Sequence, residues 1–342
     1  MMKNPKHIHL VGSMNLPSAE MAMSLAASKL GNALLRLPDG EPGPRRGWVF
    51  YQRPMFTHHQ QLVPDESTGG TPDVMSRRKV RDGVTAEDIE FPELGYAREA
   101  QMSYRWFEEA KKNGRLPAHT RFQVSLPTPW GICMSALYPA AVPIVEPAYE
   151  AAMLREVETI LATIPHDQLA IQWDVCLEML SYDGRFFPFV WNDEAFRARF
   201  ARLTAAIPET VHLGTHLCYG DYDGKHAVEP IDGTKLMEMA NLITEESKRP
   251  LQFIHIPVPI DRDDAAYFAP LAGLNLNPAT ELFLGLIHHA DGVDGARRRI
   301  NSALPYVPKF GVATECGIGR AHATDEIKTI FDIHAALTQE SP

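Results

Sequence analysis

Near the middle of the chain runs the stretch Val211-His-Leu-Gly-Thr-His-Leu-Cys-Tyr-Gly220. Its apolar residues, followed by a glycine, are typical of a buried strand that ends at a turn. Side chains two residues apart on a strand point the same way, so we expect His216 and Cys218 to face one side together. An imidazole beside a thiolate suits zinc. The stretch predicts either half of a metal site or, more simply, two packed side chains.

A second stretch of this kind lies far along the chain, in Phe310-Gly-Val-Ala-Thr-Glu-Cys316-Gly-Ile-Gly-Arg320. Here Cys316 closes an apolar strand just before a glycine, much as Cys218 does. Cys316 is therefore a third candidate ligand for the same ion.

Outward from these two strands, the whole chain alternates between strand-like and helical patterns. Apolar strand-like runs cover residues 7–12, 33–38, 122–126, 169–175, 211–217, 251–257, 281–289 and 310–314. Helical patterns cover residues 18–30, 96–113, 146–164, 193–206, 233–246, 293–303 and 323–337. Strands separated by helices pair in parallel through right-handed crossovers, and eight of them predict a closed (β/α)₈ TIM barrel. No Gly-x-Gly-x-x-Gly follows the first strand, which disfavours a dinucleotide-binding fold.

Composition limits the class of protein. The chain has 342 residues, of which 45% are apolar, as expected for a globular domain with a sizeable core. A single barrel domain can reach this length, so we expect one domain over residues 1–342. A net charge of −10 disfavours binding to nucleic acids or anionic membranes.

Cysteine usage and the chain start bear on the cellular setting. The four cysteines, Cys133, Cys176, Cys218 and Cys316, are widely spaced and form no Cys-x-x-Cys motif, which favours reduced thiols. The chain shows no apolar signal region and no run of 18 apolar residues. We therefore expect a soluble, cytoplasmic protein.

Two predicted connections, about 41–95 and 127–147, are too long to be plain loops. Long segments in a barrel are often lids or substrate-binding loops. They are equally compatible with structural insertions or with contacts in a homo-oligomer.

Polar residues follow nearly every predicted strand, on the side where a barrel keeps its active site. Each has an ordinary alternative, such as a turn at Asp39-Gly40, a helix cap at Asp174 or a core histidine at His255. Their joint placement is the stronger signal for a site. They are Ser13, Asp39, Glu41, Asp174, His216, Cys218, His255, His288, His289, Glu315 and Cys316.

Several of these motifs resemble, in the same order, those of the C-terminal catalytic barrel of cobalamin-independent methionine synthase and its single-barrel relatives. The similar stretches are Leu10-Val-Gly-Ser13, Asp39-Gly-Glu41 with Arg45, Arg46 and the aromatic residues 48–51, Gln172-Trp-Asp174, His216-x-Cys218-Tyr219 and Glu315-Cys316-Gly317. The resemblance spans residues 8 to about 320 and implies the same barrel fold.

The resemblance also implies a zinc ion, Zn²⁺, held by His216, Cys218 and Cys316. The family's remaining ligand is a glutamate at the end of the sixth strand. Here that region offers His255, which we predict as the fourth ligand of a His₂Cys₂ site.

For the substrate, the resemblance implies an amino-acid thiol held by Ser13, Glu41 and Asp174, with the two acids on its ammonium group. Trp130, in Pro127-Thr-Pro-Trp-Gly131, is a candidate stacking platform for an aromatic donor, or else a tryptophan packed on the barrel rim. Because the sequence departs from the family at several positions, it does not define the methyl donor or the thiol acceptor. Asp174 is followed by Val-Cys instead of Glu-Pro, and the sequence shows no counterpart of the family's N-terminal barrel, which helps to bind folate.

The predicted function is zinc-dependent methyl or alkyl transfer to a thiol such as homocysteine. A coordinated thiol is deprotonated, whereas a free thiol with a pKa of about 8.5 is mostly protonated at neutral pH. In this mechanism Glu41 and Asp174 act by orienting the substrate. Two alternatives stay open. One is a zinc-dependent hydrolase or lyase acting on a small organic acid or aromatic substrate, with His58, His59, His255, His288 or His289 as base; the other is a barrel that only binds a ligand.

Overall fold

The computed structural model describes residues 5–64, 76–187, 191–221 and 224–338. Within these ranges the strands are β1 (Ile8–His9), β2 (Arg36–Pro38), β3 (Leu62–Pro64), β4 (Arg78–Val80), β5 (Arg121–Pro127), β6 (Leu169–Val175), β7 (His212–Leu217), β8 (Phe253–Pro257), β9 (Glu281–Ile287) and β10 (Gly311–Thr314). All but β3 and β4 form one parallel sheet in the order β1-β10-β9-β8-β7-β6-β5-β2. A parallel bridge between Ile8 and Leu34 brings the two edges together. The predicted TIM barrel is confirmed.

Helices cover the outside of this barrel. They are α1 (Ala19–Leu30), α2 (Arg53–Thr57), α3 (Tyr96–Lys112), α4 (Pro129–Ala136), α5 (Val142–Thr163), α6 (Leu177–Asp183), α7 (Asp193–Ala205), α8 (Thr234–Glu246), α9 (Ala265–Phe268), α10 (Gly292–Ala303) and α11 (Thr324–Thr338). Short 3-10 segments cover Gly31–Ala33, Gly43–Gln52, Ala86–Asp88, Pro139–Ala141, His166–Gln168 and Ala269–Gly273. None of the helices in the described ranges is both long and apolar enough to cross a membrane.

The sequence explains why these elements form. All seven residues of β6 are buried, as expected for a parallel strand covered on both faces. On α3, the buried residues Ala97, Ala100, Tyr104 and Phe107 recur every three or four positions and make an apolar stripe against the sheet. Ser18 caps α1 by accepting a hydrogen bond from the Met21 amide.

The two long connections contain more regular structure than the sequence predicts. Segment 41–95 carries the 3-10 segments Gly43–Gln52 and Ala86–Asp88, α2 and the antiparallel pair β3–β4, and its residues 65–75 lie outside the described ranges. Segment 127–147 contains α4 and the start of α5. Pro129 and Pro143 occupy first-turn positions of α4 and α5, where proline is tolerated, whereas Pro127 ends β5 and Pro147 lies inside α5.

Candidate functional site

Three predicted ligands converge at the C-terminal end of the barrel. His216 is on β7, Cys218 directly follows that strand, and Cys316 lies two residues after β10. The Cys316 Sγ lies 3.7 Å from the Cys218 Sγ and 3.7 Å from the His216 Nε2. Two thiolates on one tetrahedral zinc, each about 2.3 Å from the ion, lie about 3.8 Å apart. The donor types and their spacing therefore fit zinc.

His255 is placed behind His216 and not beside the thiols. The Nδ1 atoms of the two histidines are 2.6 Å apart, whereas the His216 Nε2 faces Cys316. His216, Cys218 and Cys316 form a group of mutually close donor atoms, and His255 does not belong to it. Burial lowers the pKa of His255 to about 3, so its ring is neutral and its Nδ1 can accept a hydrogen bond from the His216 Nδ1–H. That tautomer leaves the His216 Nε2 lone pair for an ion.

Cys176 is a site residue to which the sequence analysis assigns no role. Val175 pairs with Leu217 and accepts a hydrogen bond of 3.0 Å from the Cys218 amide, so Cys176 lies across from Cys218. A hydrogen bond with the Cys176 thiol, together with burial, raises the pKa of Cys218. The signal was present in the sequence, because Asp174-x-Cys176 has the same two-residue spacing as His216-x-Cys218.

The two predicted acids, Glu41 and Asp174, line the same cavity as the ligands. Asp174 accepts hydrogen bonds from the Gln172 side-chain amide (2.8 Å) and the Trp48 indole (3.0 Å). Burial nonetheless raises the pKa of Asp174 to about 7. Burial and the neighbouring Asp174 raise the pKa of Glu41 to about 8. Two carboxyl groups held against their charged forms make a site that favours a bound cation.

Backbone strain marks the same place. Among the described residues, Glu41 (φ 49°) and Trp48 (φ 52°) are the non-glycine residues with positive φ. Such conformations persist only where surrounding contacts hold them, and they cluster at functional sites. Here Asp39 accepts a 2.9 Å hydrogen bond from the Glu41 amide and is itself bound by Arg45 (2.7 Å) and Ser103 (2.6 Å). These contacts fix the Glu41 turn.

Ser13 also lies in this cavity, next to the loop that carries Cys316. Its carbonyl accepts a 2.8 Å hydrogen bond from the Ile318 amide. A Cβ on Gly317 would lie 2.4 Å from the Ser13 Oγ, so a larger residue there would displace the Ser13 side chain or the loop. The contact fixes the position of Cys316 relative to β1.

The cavity itself has a volume of about 560 Å³ and is lined by both polar and apolar side chains. The polar ones include the ligands, the acids and Arg320, whose Nη2 lies 3.6 Å from the Cys316 Sγ and 3.1 Å from the Asp221 carboxylate. The apolar ones are largely aromatic: Trp48, Val49, Phe50, Leu177, Leu180, Phe186 and Phe187. The cavity can accept an apolar or aromatic group beside the metal ligands.

Of the two alternatives for Trp130, a stacking platform or a packed tryptophan, the structure shows a packed one, which corrects its assignment to substrate binding. It belongs to α4, is buried in the core and packs edge-on against Phe196 with ring centroids 4.7 Å apart. The reason is that Thr128 caps a helix starting at Pro129, which turns the tryptophan into the core. The tryptophan of the cavity is Trp48.

Comparison with known proteins adds the fold relationship. No protein-family model and no curated protein sequence matches the chain. Among solved structures, a Listeria monocytogenes protein assigned as a vitamin B12-independent methionine synthase superimposes with a TM-score of 0.54 at 13% identity, over 94% of this chain and 86% of that one. A B12-independent methionine synthase from Shewanella sp. W3-18-1, solved with selenomethionine, gives 0.55 at 14% identity, over 93% and 86%. The chain has the methionine synthase-like barrel fold.

A methyltransferase from Methanosarcina mazei is similar to the same extent, with a TM-score of 0.53 at 11% identity over 98% of this chain and 94% of that one. The resemblance deduced from the motifs is thus confirmed at the level of the fold. At these identities the chemistry of this chain has to be argued from its own residues.

Proposed function

We propose that the chain is a single-domain, zinc-dependent enzyme that transfers a methyl or other alkyl group to the sulfur of a small amino thiol. The observation that carries the proposal is the cavity in which His216, Cys218 and Cys316 lie together with Glu41 and Asp174. The histidine and the two cysteines suit a metal ion, and the two acids suit an ammonium group. Three protein ligands leave a position open for a substrate.

The ion would be held by the His216 Nε2 and the Cys218 and Cys316 thiolates. When bound there, zinc supplies the Lewis acidity that favours the thiolate form of a sulfur substrate at neutral pH. The Arg320 guanidinium beside Cys316 offsets the negative charge of the sulfurs and lowers the cost of deprotonating them.

Glu41 and Asp174 would orient the substrate by binding its ammonium group. An ammonium group between Glu41 and Asp174 would favour their ionised forms, so binding of the amine releases protons from carboxyl groups with pKa values of about 8 and about 7. Trp48 and Gln172 hold the Asp174 carboxylate in place through their hydrogen bonds. Fixing the amine in this way fixes the sulfur relative to the donor.

In the transfer itself, the sulfur lone pair forms the new S–C bond and the carbon–heteroatom bond of the donor breaks. The bonding pair stays on the donor heteroatom, which takes up the proton lost by the thiol. The net reaction is R–SH plus CH₃–X giving R–S–CH₃ plus H–X. We place the donor CH₃–X against the apolar, largely aromatic residues that line the cavity, and infer that its group X is apolar or aromatic.

Hydrolysis at the same centre is the second candidate, because Glu41 with its raised pKa could accept a proton from water. The histidines considered for that role fit less well. His288 and His289 border a different cavity, and His59 binds the Glu90 carbonyl. His226, which does line the main cavity, is held charged: burial lowers its pKa, but the carboxylates of Glu229 and Glu315, which accept its hydrogen bonds, outweigh burial and raise the pKa to about 10.

Thermal unfolding in the presence of ligands tests the proposal. Zinc-loaded protein should be stabilised by homocysteine and not by homoserine, which differs only in carrying oxygen in place of sulfur. Stabilisation by both to the same extent would favour hydrolysis. Stabilisation by neither, at millimolar ligand and with zinc bound, would contradict an amino-thiol substrate.

A further inference from the structure

A second cavity, of about 680 Å³, adjoins the first, and Cys316 and Gly317 line both. His289 and His322 are among its lining residues. His289 follows β9, His322 lies between β10 and α11, and Glu326 is in the first turn of α11. All three therefore sit at the end of the barrel where parallel strands present functional groups.

The three side chains converge. The His322 Nδ1 lies 3.2 Å from one Glu326 carboxylate oxygen, and the His289 Nδ1 lies 3.6 Å from the other. One donor atom from each residue falls within 4.8 Å of the others. The side chains are between 25% and 35% exposed, so an ion from solvent can reach them.

The surrounding backbone holds this arrangement in place. The Ala323 amide donates a 3.0 Å hydrogen bond to the Glu326 Oε2, which fixes the carboxylate and leaves its Oε1 on the side of His289. The Asn15 side-chain amide binds the His322 carbonyl at 2.8 Å, and the Thr324 hydroxyl binds the Asn15 carbonyl at 2.9 Å. Ligands that are already oriented by neighbouring groups bind a metal more tightly.

We propose that His289, His322 and Glu326 form a second metal site, separate from the cysteine centre, for a divalent transition-metal ion. Two imidazoles with one carboxylate suit Zn²⁺, Fe²⁺, Co²⁺, Ni²⁺ or Mn²⁺, whereas Mg²⁺ and Ca²⁺ prefer oxygen ligands throughout. Three protein ligands leave coordination positions for water or a small anionic ligand. The simpler alternative is a pair of histidine–glutamate ion pairs, and metal binding distinguishes the two.

Cobalt titration of the full-length, chelator-treated protein provides the test, because only the cysteine centre gives sulfur-to-cobalt charge-transfer absorption. Wild type should bind two cobalt equivalents, one with and one without that absorption. His289→Gln should lower the affinity for the cobalt ion that gives no such absorption by at least about 10-fold. The charge-transfer band of the other cobalt ion should stay unchanged. His119→Gln, at an exposed position, is the matched control and should bind as wild type does.

Cys218→Ser should show the opposite pattern, losing the charge-transfer band and keeping the second equivalent. Failure of the second site is thereby separated from failure of the cysteine centre. Glu326→Gln, which keeps an oxygen ligand near the Ala323 amide, gives an independent variant and should also weaken the second equivalent. A wild type that binds cobalt only with charge-transfer absorption, or two equivalents unaffected in both His289→Gln and Glu326→Gln, would overturn the proposal.

Discussion

His216 and His255 lie opposite each other on neighbouring strands, β7 and β8, with their Nδ1 atoms 2.6 Å apart. His255 is fully buried and neutral, and the Nε2 of His216 faces the thiols. In the proposed zinc site, His255 would therefore be a positioning residue that selects the tautomer of His216 with a free Nε2.

Replacing His255 tests this role. His255→Phe removes the hydrogen-bond acceptor while retaining a buried ring, and should weaken zinc binding by about 10- to 100-fold in a chelator competition. His255→Gln, whose amide oxygen can accept the same hydrogen bond from His216, should recover part of the zinc affinity. Complete loss of zinc in both variants, with thermal unfolding showing an intact fold, would mean instead that His255 coordinates the ion, as the sequence predicts.

The acids are expected to act on the amine of the substrate. Glu41→Gln and Asp174→Asn should each weaken binding of homocysteine to the zinc-loaded protein by about 10- to 100-fold, the range of a hydrogen bond to a charged group. Binding of a simple alkyl thiol, which lacks the amine, should change little. Calorimetry with both thiols measures the difference, and an equal loss for the two would rule out amine recognition.

The raised pKa of Glu41 has a consequence for stability. Its pKa is about 8 in the folded protein, above its value in an unfolded chain, so the folded state holds the extra proton between those two values. The stability that this provides is complete below the unfolded pKa and is lost as the pH rises through about 8.

Glu41→Gln stays neutral at all these pH values and should remove this loss. The free energy of unfolding of the variant, relative to wild type, should therefore rise between about pH 5 and pH 9, by on the order of 4 kcal/mol. Chemical denaturation of the metal-free protein measures it, with the exposed Glu108→Gln as control. A difference that does not vary with pH would show that the carboxyl group is ionised in the folded protein.

Gly317 tests the placement of Cys316. In Gly317→Ala the new Cβ would lie 2.4 Å from the Ser13 Oγ and 3.2 Å from the Ser13 amide nitrogen, so the Ser13 side chain and the loop have to shift, and zinc affinity should fall by about 10-fold or more. Ser13→Gly combined with Gly317→Ala removes that contact and should restore part of the affinity. Gly47→Ala, whose Cβ would meet only an ordinary 3.6 Å contact, is the control. Unchanged affinity in Gly317→Ala would mean that the loop is not held by Ser13.

Much of the fold could be predicted from the sequence, because a buried parallel strand leaves a continuous apolar run such as β6. Strand ends are harder to predict: β9 stops at Ile287, before the two histidines that the apolar pattern includes. The helix α4 escapes prediction because a proline in its first turn has the same local signal as a loop. Because α4 contains Trp130, its position also could not be predicted.

For the site, residue spacing within one strand predicts which side chains point the same way. It does not predict how deep in the barrel a residue of another strand lies. His216-x-Cys218 predicts a shared direction, and the structure brings both residues to the cavity. Whether His255 lies level with Cys218 or one layer below depends on strand register, which no local pattern contains. The register pairs His255 with His216, one layer below the thiols. The register of β6 with β7 likewise places Cys176 level with Cys218.

The most direct test of the cysteine centre is sulfur-to-cobalt charge-transfer absorption, measured with zinc content on wild type, Cys218→Ala, Cys316→Ala and the core control Cys133→Ala. One cobalt equivalent with this absorption in wild type and Cys133→Ala, absent from both other variants, is the predicted result. It would show that two distant strand ends build one metal site. No such absorption in wild type, after metal-supplemented reconstitution, would contradict the centre and with it the proposed transfer to a thiol.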